Sequence, residues 1–415
     1  MIQFRFGHVA TFVLLLCTQL LTTSRVQAQT QKHTPQHAPG GVMGYVKWGF
    51  GNDNAPMQLA ANSGMTFVGV GKVRQGGEQL LWRVGAQDGQ TQLVQTTART
   101  ADLVRGTFMN YVGRDTLPPL RLYTYVSSAA NSIRGTLAVG GTTKERLPIK
   151  AMKEGMAEYA VYPRALSATE RMRVESAMAL RHGITLNHSY FNSKGLVVRN
   201  YYRLKAYNHR VAGIIGDSTS CLYLATGQSA EGEAAVRVAA KAIGEGASYI
   251  WGDNAKRLAF AADRGNGKWM RRRWAATTTG TPVAGMTLTL DTRSIRQLEP
   301  LGEGESYYLA VDNSGTGKFP VEQLRYYKAR MGQADSVTFM GISAGVGESV
   351  FTFRAAKDFF STIDVEQPRC STGAKGALRV LLTGGTPPYR LTASVDGKAV
   401  CVHATADSIV TVPSL

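Results

Sequence analysis

The sequence lacks any late apolar run of 18 residues, uses few charged residues and is nearly devoid of cysteine. Without such a run beyond the N-terminus, nothing later in the chain crosses a membrane as a helix. Charged residues make up only 18%, beside 44% hydrophobic residues and 45 glycines, a composition of globular β domains rather than of disorder. The four cysteines are Cys17, Cys221, Cys370 and Cys401. Cys17 falls in the N-terminal segment discussed next. Cys370 and Cys401 lie in one short C-terminal unit and are placed to bridge it, which leaves Cys221 as a buried thiol and suits an oxidising compartment.

What the chain has at its N-terminus is a three-part export signal. Arg5 and His8 form a basic start, Val9 to Leu21 an apolar stretch, and Val26-Gln-Ala28 the small-residue cleavage pattern. The apolar stretch covers only about 20 Å at ~1.5 Å per residue, short of the roughly 30 Å hydrocarbon core, so cleavage after Ala28 is expected rather than anchoring. Leu16 is too large to precede a lipoprotein cysteine at position 17.

Lys and Arg outnumber Asp and Glu by 47 to 29, a formal charge of +18, and removal of Arg5 and Arg25 leaves the chain strongly basic. On an exported protein this points first to anionic cell-surface polymers, such as lipopolysaccharide or acidic glycans. The basic residues are spread along the chain instead of massed in an arm, so no nucleic-acid partner is expected.

Residues 29–40 are polar and aperiodic and read as a flexible leader. From Gly41, short apolar runs alternate with Gly, Asn and Asp: Gly44–Phe50, Met65–Val70, Gln79–Val84, Thr91–Gln95, Leu120–Tyr125 and Gly135–Val139. These are strands of a sandwich. After a further strand, Ala157–Tyr162, Ser167 and Glu170 form a capping box. Val174, Ala177, Met178 and Arg181 then follow at helical spacing and Gly183 offers a left-handed stop, predicting a helix over 167–182.

This stretch, Glu158-Tyr-Ala-Val-Tyr-Pro-Arg-Ala-Leu-Ser-Ala-Thr-Glu-Arg and then Val174 to Leu186, resembles the end of the concanavalin A-like (laminin G-like) jelly-roll domains of Bacteroidetes surface proteins. Arg181-His182 stand where that family carries Lys-Tyr. Residues 187–360 resemble the β-rich domain of unknown function that follows such lectin-like domains. The carriers are Asn208 to Asp217, Tyr249 to Asn254, Met270 to Trp274, Tyr307 to Ser314 and Val350 to Phe353. Gly384-Gly-Thr-Pro-Pro-Tyr389 resembles the turn of SprB-type immunoglobulin-like repeats, which run on past the position of Leu415. The resemblance therefore implies a fragment of a longer adhesin, reaching the surface by a type IX route.

Catalytic and metal motifs fail on their surroundings. Gly341-Ile-Ser-Ala-Gly345 fits G-x-S-x-G but lies between two predicted strands, with no helix to make a nucleophile elbow. Gly216-Asp-Ser218 lacks the downstream Asp-x-x-His, since Val400 stands three residues before His403. Ile363-Asp-Val-Glu366 has Thr362 where a glucanase nucleophile belongs. Asp312, Asn313 and Ser314 resemble a worn calcium loop short of carboxylates, which leaves calcium as a weak expectation. The histidines are too scattered for zinc. Trp48 and Trp251 sit in core patterns. In Lys268-Trp-Met-Arg-Arg-Arg-Trp274, strand alternation puts Trp269, Arg271 and Arg273 on one face and Met270, Arg272 and Trp274 on the other. The first set is the candidate anion- or glycan-binding face.

The expectation is thus an all-β protein: a jelly-roll sandwich closed by one short helix, a second sandwich-like domain and a partial immunoglobulin-like repeat. Its parts are a signal (1–28), leader (29–40), lectin-like domain (41–187), β-rich domain (188–358), linker (359–369) and repeat (370–415). Its expected work is non-enzymatic adhesion or glycan and matrix binding at the cell surface, with no cofactor. The rivals are a glycan-degrading hydrolase on the same fold and a structural spacer.

Overall fold

The structure, a computed structural model, describes residues 37–415 except 52–56, 60–63, 73–77, 86–90, 104–105, 111–119, 128–134, 141–149, 152–155, 263–266, 296–300, 332–334, 368–375, 396–397 and 414–415. The signal and most of the leader lie outside the described residues. The chain is all-β, with a single α-helix among the described residues.

The first sandwich faces a four-stranded sheet against a larger one. The four-stranded sheet runs Lys47–Gly51, Met156–Tyr162, Met65–Lys72, Leu120–Ser127, all antiparallel. The second runs Met57–Leu59, Gly135–Val139, Gln79–Gly85, Thr91–Thr96, Arg99–Asp102, Thr107–Asn110. Period-2 alternation decides what each face meets. Phe67, Tyr159 and Val161 point into the sandwich, where they join Trp82, Val84 and Leu137. Phe67 lies 5.3 Å from Trp82 and stacks on Tyr159 at 6.2 Å between centroids. The opposite set, Val68, Val70, Ala160 and Tyr162, faces the helix. A sheet covered on both sides needs apolar side chains on both, which is why Met65–Val70 does not alternate and carries Thr66 as its only polar side chain.

The helix spans Ala168–His182 and starts as expected. Ser167 accepts from the Glu170 amide, the Glu170 carboxylate accepts from the Ser167 amide at 3.0 Å, and Gly183 closes in the left-handed region. Arg164 clamps Glu170 through two hydrogen bonds of 2.9 and 2.7 Å and holds its carboxyl down at about 2. The stripe of Val174, Ala177 and Met178 is only half of what the helix buries. Glu175, Ser176, Ala179 and Leu180 are buried too, because Val211, Ile215, Leu222 and Ile250 of the following domain pack against the helix in the same core. Ala168 and Thr169 at its start are exposed, but from Val174 to Leu180 the helix is covered on two sides and has no solvent face to keep polar. The described end of the leader joins this packing. Ala38, Pro39 and Gly40 are buried, and Arg173 donates to the carbonyls of Gly40 and Gly41 at 3.0 and 3.1 Å. A Cβ on Gly40 would lie 2.4 Å from the Arg173 carbonyl carbon, so only glycine passes there.

The second domain pairs two sheets around Trp251, Trp274, Phe339, Phe351 and Phe353. The larger sheet includes His209–Asp217, Ser248–Asp253, Trp274–Thr279 and Gly347–Lys357, with Glu305–Asp312 beside the last. The smaller runs Thr226–Gln228, Val236–Ala239, Val283–Asp291, Ser336–Ala344, Arg330–Met331. Arg199, fully buried beneath the larger sheet, spends its guanidinium on the carbonyls of Ile250, Ala275 and Tyr207 at 3.2, 2.9 and 2.8 Å. Burial draws its pKa down to about 10.

A third, small sandwich sets Phe360–Glu366, Ala377–Thr383 and Ile409–Pro413 against Tyr389–Val395 and Lys398–Thr405. Residues 359–369, read from sequence as a linker, therefore contain a strand. Phe360 is buried with Tyr308 and Ala356, which fixes the strand's start to the preceding domain.

The contact that ties the first sheet to the helix is Glu158, wholly buried on the helix-facing side of Met156–Tyr162. It accepts from Trp48 Nε1 at 2.9 Å, bonds His182 Nε2 at 2.9 Å and pairs with Arg181, whose other amine donates to the carbonyls of Ser220 and Cys221. Burial alone pushes the Glu158 carboxyl up, but Arg181, His182 and Trp48 outweigh it and hold it below the ordinary range.

Removing one partner of a buried pair strands the other's charge, so Glu158→Ala is expected to cost about 3–5 kcal/mol in denaturant unfolding. A loss under about 0.5 kcal/mol, the size of an ordinary surface change, contradicts this role. Glu158 and Glu170 both have lowered folded pKa values, so their stabilisation is complete above the unfolded value of 4.5 and disappears as pH falls through the folded ones, toward about 2 for Glu170. Thermal melts across this window are expected to show stability falling with acid, and Glu170→Gln to remove part of that slope.

Candidate functional site

The basic-aromatic segment does not form one strand. Lys268–Met270 and Trp274–Thr279 both pair with Gly347–Lys357, and the chain leaves the ladder at 271–273. Alternation still holds in burial: Met270, Arg272 and Trp274 are inside. The outward set is mostly engaged. Trp269 is half-buried against Phe319 at 5.6 Å and Tyr326 at 6.3 Å, with the Arg354 guanidinium 5.1 Å above its ring. Arg273 lies 5.0 Å over Phe319 and donates to the Gly317 carbonyl at 2.6 Å. Arg271 alone is exposed. Trp269 and Arg273 thus glue the Phe319 loop to the sheet instead of offering a shared platform. On the inner side Arg272 bonds the Glu233 carboxylate at 2.7 Å, and Arg210 grips buried Asp253 through two bonds of 2.6 Å.

The Asp312-Asn313-Ser314 loop is closed on itself. Asp312 is fully buried, and its carboxylate accepts from the Ser314 amide (2.8 Å) and hydroxyl (2.5 Å), the Thr316 hydroxyl (3.3 Å) and the Phe319 amide (3.1 Å). Those bonds consume the oxygens a cation needs. Asn313 sits apart, its side chain donating to the Gln323 carbonyl at 3.2 Å. Among the described residues no three His, Cys, Asp or Glu side chains are placed to share a metal ion. Cys370 and the side chain of Cys401, and with them the expected disulfide, lie outside the described residues. Cys221 is a half-buried free thiol whose pKa burial pushes up. Ser343 stands exposed near the end of Ser336–Ala344, and the next strand begins at Gly347. Asp217 is buried, holding Ser193 and Ser220.

A polar recess lies elsewhere, on the outer face of the smaller sheet. A groove of about 450 Å³ is lined by Gln228, Ala235, Arg237, Thr289, Asp291, Arg293, Asp335 and Ser336. Register explains the set. Gln228 opposes Arg237, Arg237 opposes Thr289, and Asp291 opposes Ser336, so all project from one face of four adjacent strands. Arg293 returns from the turn after Asp291 and bonds it through Nε (3.0 Å) and Nη2 (2.9 Å), holding that carboxyl below its ordinary range. Arg237 is exposed and forms no ion pair among the described residues. The groove therefore presents an exposed guanidinium beside amide and hydroxyl groups, in a lining whose two arginines, Arg237 and Arg293, are matched by two carboxylates, Asp291 and Asp335, a mixture of donors and acceptors that suits hydroxyl-rich ligands. The sequence did hold a signal for it. Val236-Arg-Val-Ala and Met286-Thr-Leu-Thr-Leu-Asp alternate strictly, with Arg237, Thr287, Thr289 and Asp291 on the polar side. What it lacked was the knowledge that these two segments lie side by side.

Residues 170–345 match a family described as a domain of unknown function (DUF8202). The match takes in most of the helix, the smaller sheet and the whole groove. No curated protein matches the chain.

Asp312→Ala leaves buried amides without acceptors and is expected to destabilise the protein by about 1–3 kcal/mol per orphaned group. Trp269→Ala is likewise expected to lower the melting temperature while leaving polymer binding intact. A variant that melts as the parent does but loses a bound polymer restores Trp269 to a binding face.

Proposed function

We propose that the protein is an exported, non-enzymatic surface protein that works in adhesion by binding carbohydrate or another anionic polymer, and that the groove around Arg237 is where the ligand sits. The observation that carries this reading is the exposed Arg237, in no ion pair among the described residues, flanked by Gln228 and Thr289 on an open sheet face. The positive balance of the whole chain supports it by drawing anionic polymers toward the surface. The groove's volume accommodates one or two sugar rings and leaves the chain free to continue along the sheet. As a hydrolytic pair, Asp291 and Asp335 are poorly matched to the chemistry: the proton donor of a glycosidase needs a raised pKa, and Arg293 keeps Asp291 ionised.

Export is tested by N-terminal sequencing of the secreted chain, which is expected to begin at Gln29. Binding is tested on an array of neutral and acidic glycans at low salt. Arg237→Ala is expected to weaken binding about tenfold or more, the equivalent of one charge-assisted hydrogen bond of roughly 1.5–3 kcal/mol, and added salt to weaken the parent in the same direction. Affinity that survives both Arg237→Ala and Gln228→Ala moves the ligand off this groove. No glycan binding at all favours the spacer reading.

A further inference from the structure

The segment that carries the chain from the helix into the second domain holds His188, and both nitrogens of its ring face acceptors. Nε2 lies 2.7 Å from the Glu175 carboxylate, and Nδ1 lies 2.8 Å from the Ser189 carbonyl. A neutral imidazole has one N–H and one lone pair, so it satisfies only one of these acceptors; the imidazolium donates to both. The charges that face the ring come from the helix. Glu175 is buried and accepts from Thr124 of the first sandwich at 2.7 Å, and Arg171 Nε stands 3.6 Å from the same carboxylate oxygen. Burial by itself pushes the His188 pKa down. Glu175 and the Ser189 carbonyl outweigh that burial and the repulsion of Arg171, and hold it above the ordinary value of 6.5. Two neighbouring bonds depend on the same seating. The Tyr201 amide donates to the Ser189 hydroxyl and the Phe191 amide to the Ser176 hydroxyl of the helix, each at 3.0 Å.

We propose that His188 is a proton-dependent latch on this connector: charged, it ties Ser189 to Glu175 and through Glu175 to the first sandwich; uncharged, it lets one of the two go. Loss of the proton sets a ring lone pair against an oxygen lone pair at hydrogen-bond distance. The ring then keeps Glu175 or Ser189 but not both, and the line from Thr124 through Glu175 to the connector is cut at the imidazole. The folded pKa is raised, so the latch contributes its full stability below the unfolded value of 6.5 and loses it as pH rises through the folded value. This is opposite in sign to Glu158 and Glu170, whose contributions disappear in acid. The joint between the first sandwich and the second domain is therefore loosened from the alkaline side by one residue and from the acid side by others.

Nitrogen-15 NMR of the imidazoles in the whole chain, with His188→Gln assigning the signal, is expected to show both His188 nitrogens protonated at about pH 6 and a titration midpoint above the unfolded value. Across the interval between those two pKa values the unfolding equilibrium constant is expected to rise by ten to the power of their difference, and His188→Gln to remove that rise. Amide exchange at Phe191 and Tyr201, corrected for its intrinsic rate, is expected to quicken over the same interval while Ser248–Asp253 stays protected. Glu175→Gln keeps an acceptor for Thr124 but removes the charge, and is expected to bring the His188 midpoint down toward 6.5; it carries the test if His188→Gln does not fold. A midpoint at or below 6.5, a singly protonated ring at about pH 6, exchange at Phe191 and Tyr201 that ignores the titration, or a midpoint indifferent to Glu175→Gln overturns the proposal.

Discussion

The fold is organised around a helix that is covered on every side from Val174 to Leu180. Ala168–His182 lies between the four-stranded sheet of the first sandwich and the larger sheet of the second domain, and its C-terminal turn delivers Arg181 and His182 to Glu158. A carboxylate with no exposure in an apolar layer costs several kcal/mol unless it is fully bonded. Here the Trp48 indole, a guanidinium and an imidazole meet it, and the same guanidinium reaches the backbone of Ser220 and Cys221 in the next domain. The pairing therefore works only when sheet, helix and second domain are all in place. A buried network of this kind specifies one arrangement more than it adds stability, because apolar residues of equal volume would pack at lower desolvation cost. Two further polar anchors repeat the pattern on the helix's flank. Glu175 accepts from Thr124 at 2.7 Å and bonds His188 at 2.7 Å, so the sheet and the segment after the helix are fixed to one side chain.

Arginine serves this protein largely from within. Arg199, Arg272 and Arg354 are buried, bonded to backbone carbonyls, to Glu233 or to the ring of Phe360, with the Arg354 guanidinium 4.2 Å above that ring. A planar fork with five donors can satisfy several carbonyls at once, which lysine cannot. Part of the chain's positive excess is thus spent on holding sheets together, and the charge left at the surface is smaller than composition implies. Arg237 and Arg271 are among the guanidinium groups left at the surface.

Local chemistry was enough to place seven strands of the first sandwich, the helix with its capping box and the Gly183 stop, and the all-β class, because turn residues, capping side chains and period-2 alternation act over a few residues; the short strands Met57–Leu59, Arg99–Asp102, Thr107–Asn110 and Lys150–Ala151 went unread. The same reasoning read Met270, Arg272 and Trp274 as inward. It failed where the answer depended on which distant segment arrives alongside. Trp269 and Arg273 looked available until the Phe319 loop covered them. Residues 359–369 looked like a linker until Ala377–Thr383 came to pair with them. Glu158 gave no sign of being buried until the helix returned over its sheet. The groove needed Thr226–Gln228, Val236–Ala239 and Val283–Asp291 in one register before its polar residues meant anything together. Alternation tells each side chain which face it takes; only the tertiary pairing decides what lies across from that face, because the neighbour on a sheet comes from a segment far away in sequence.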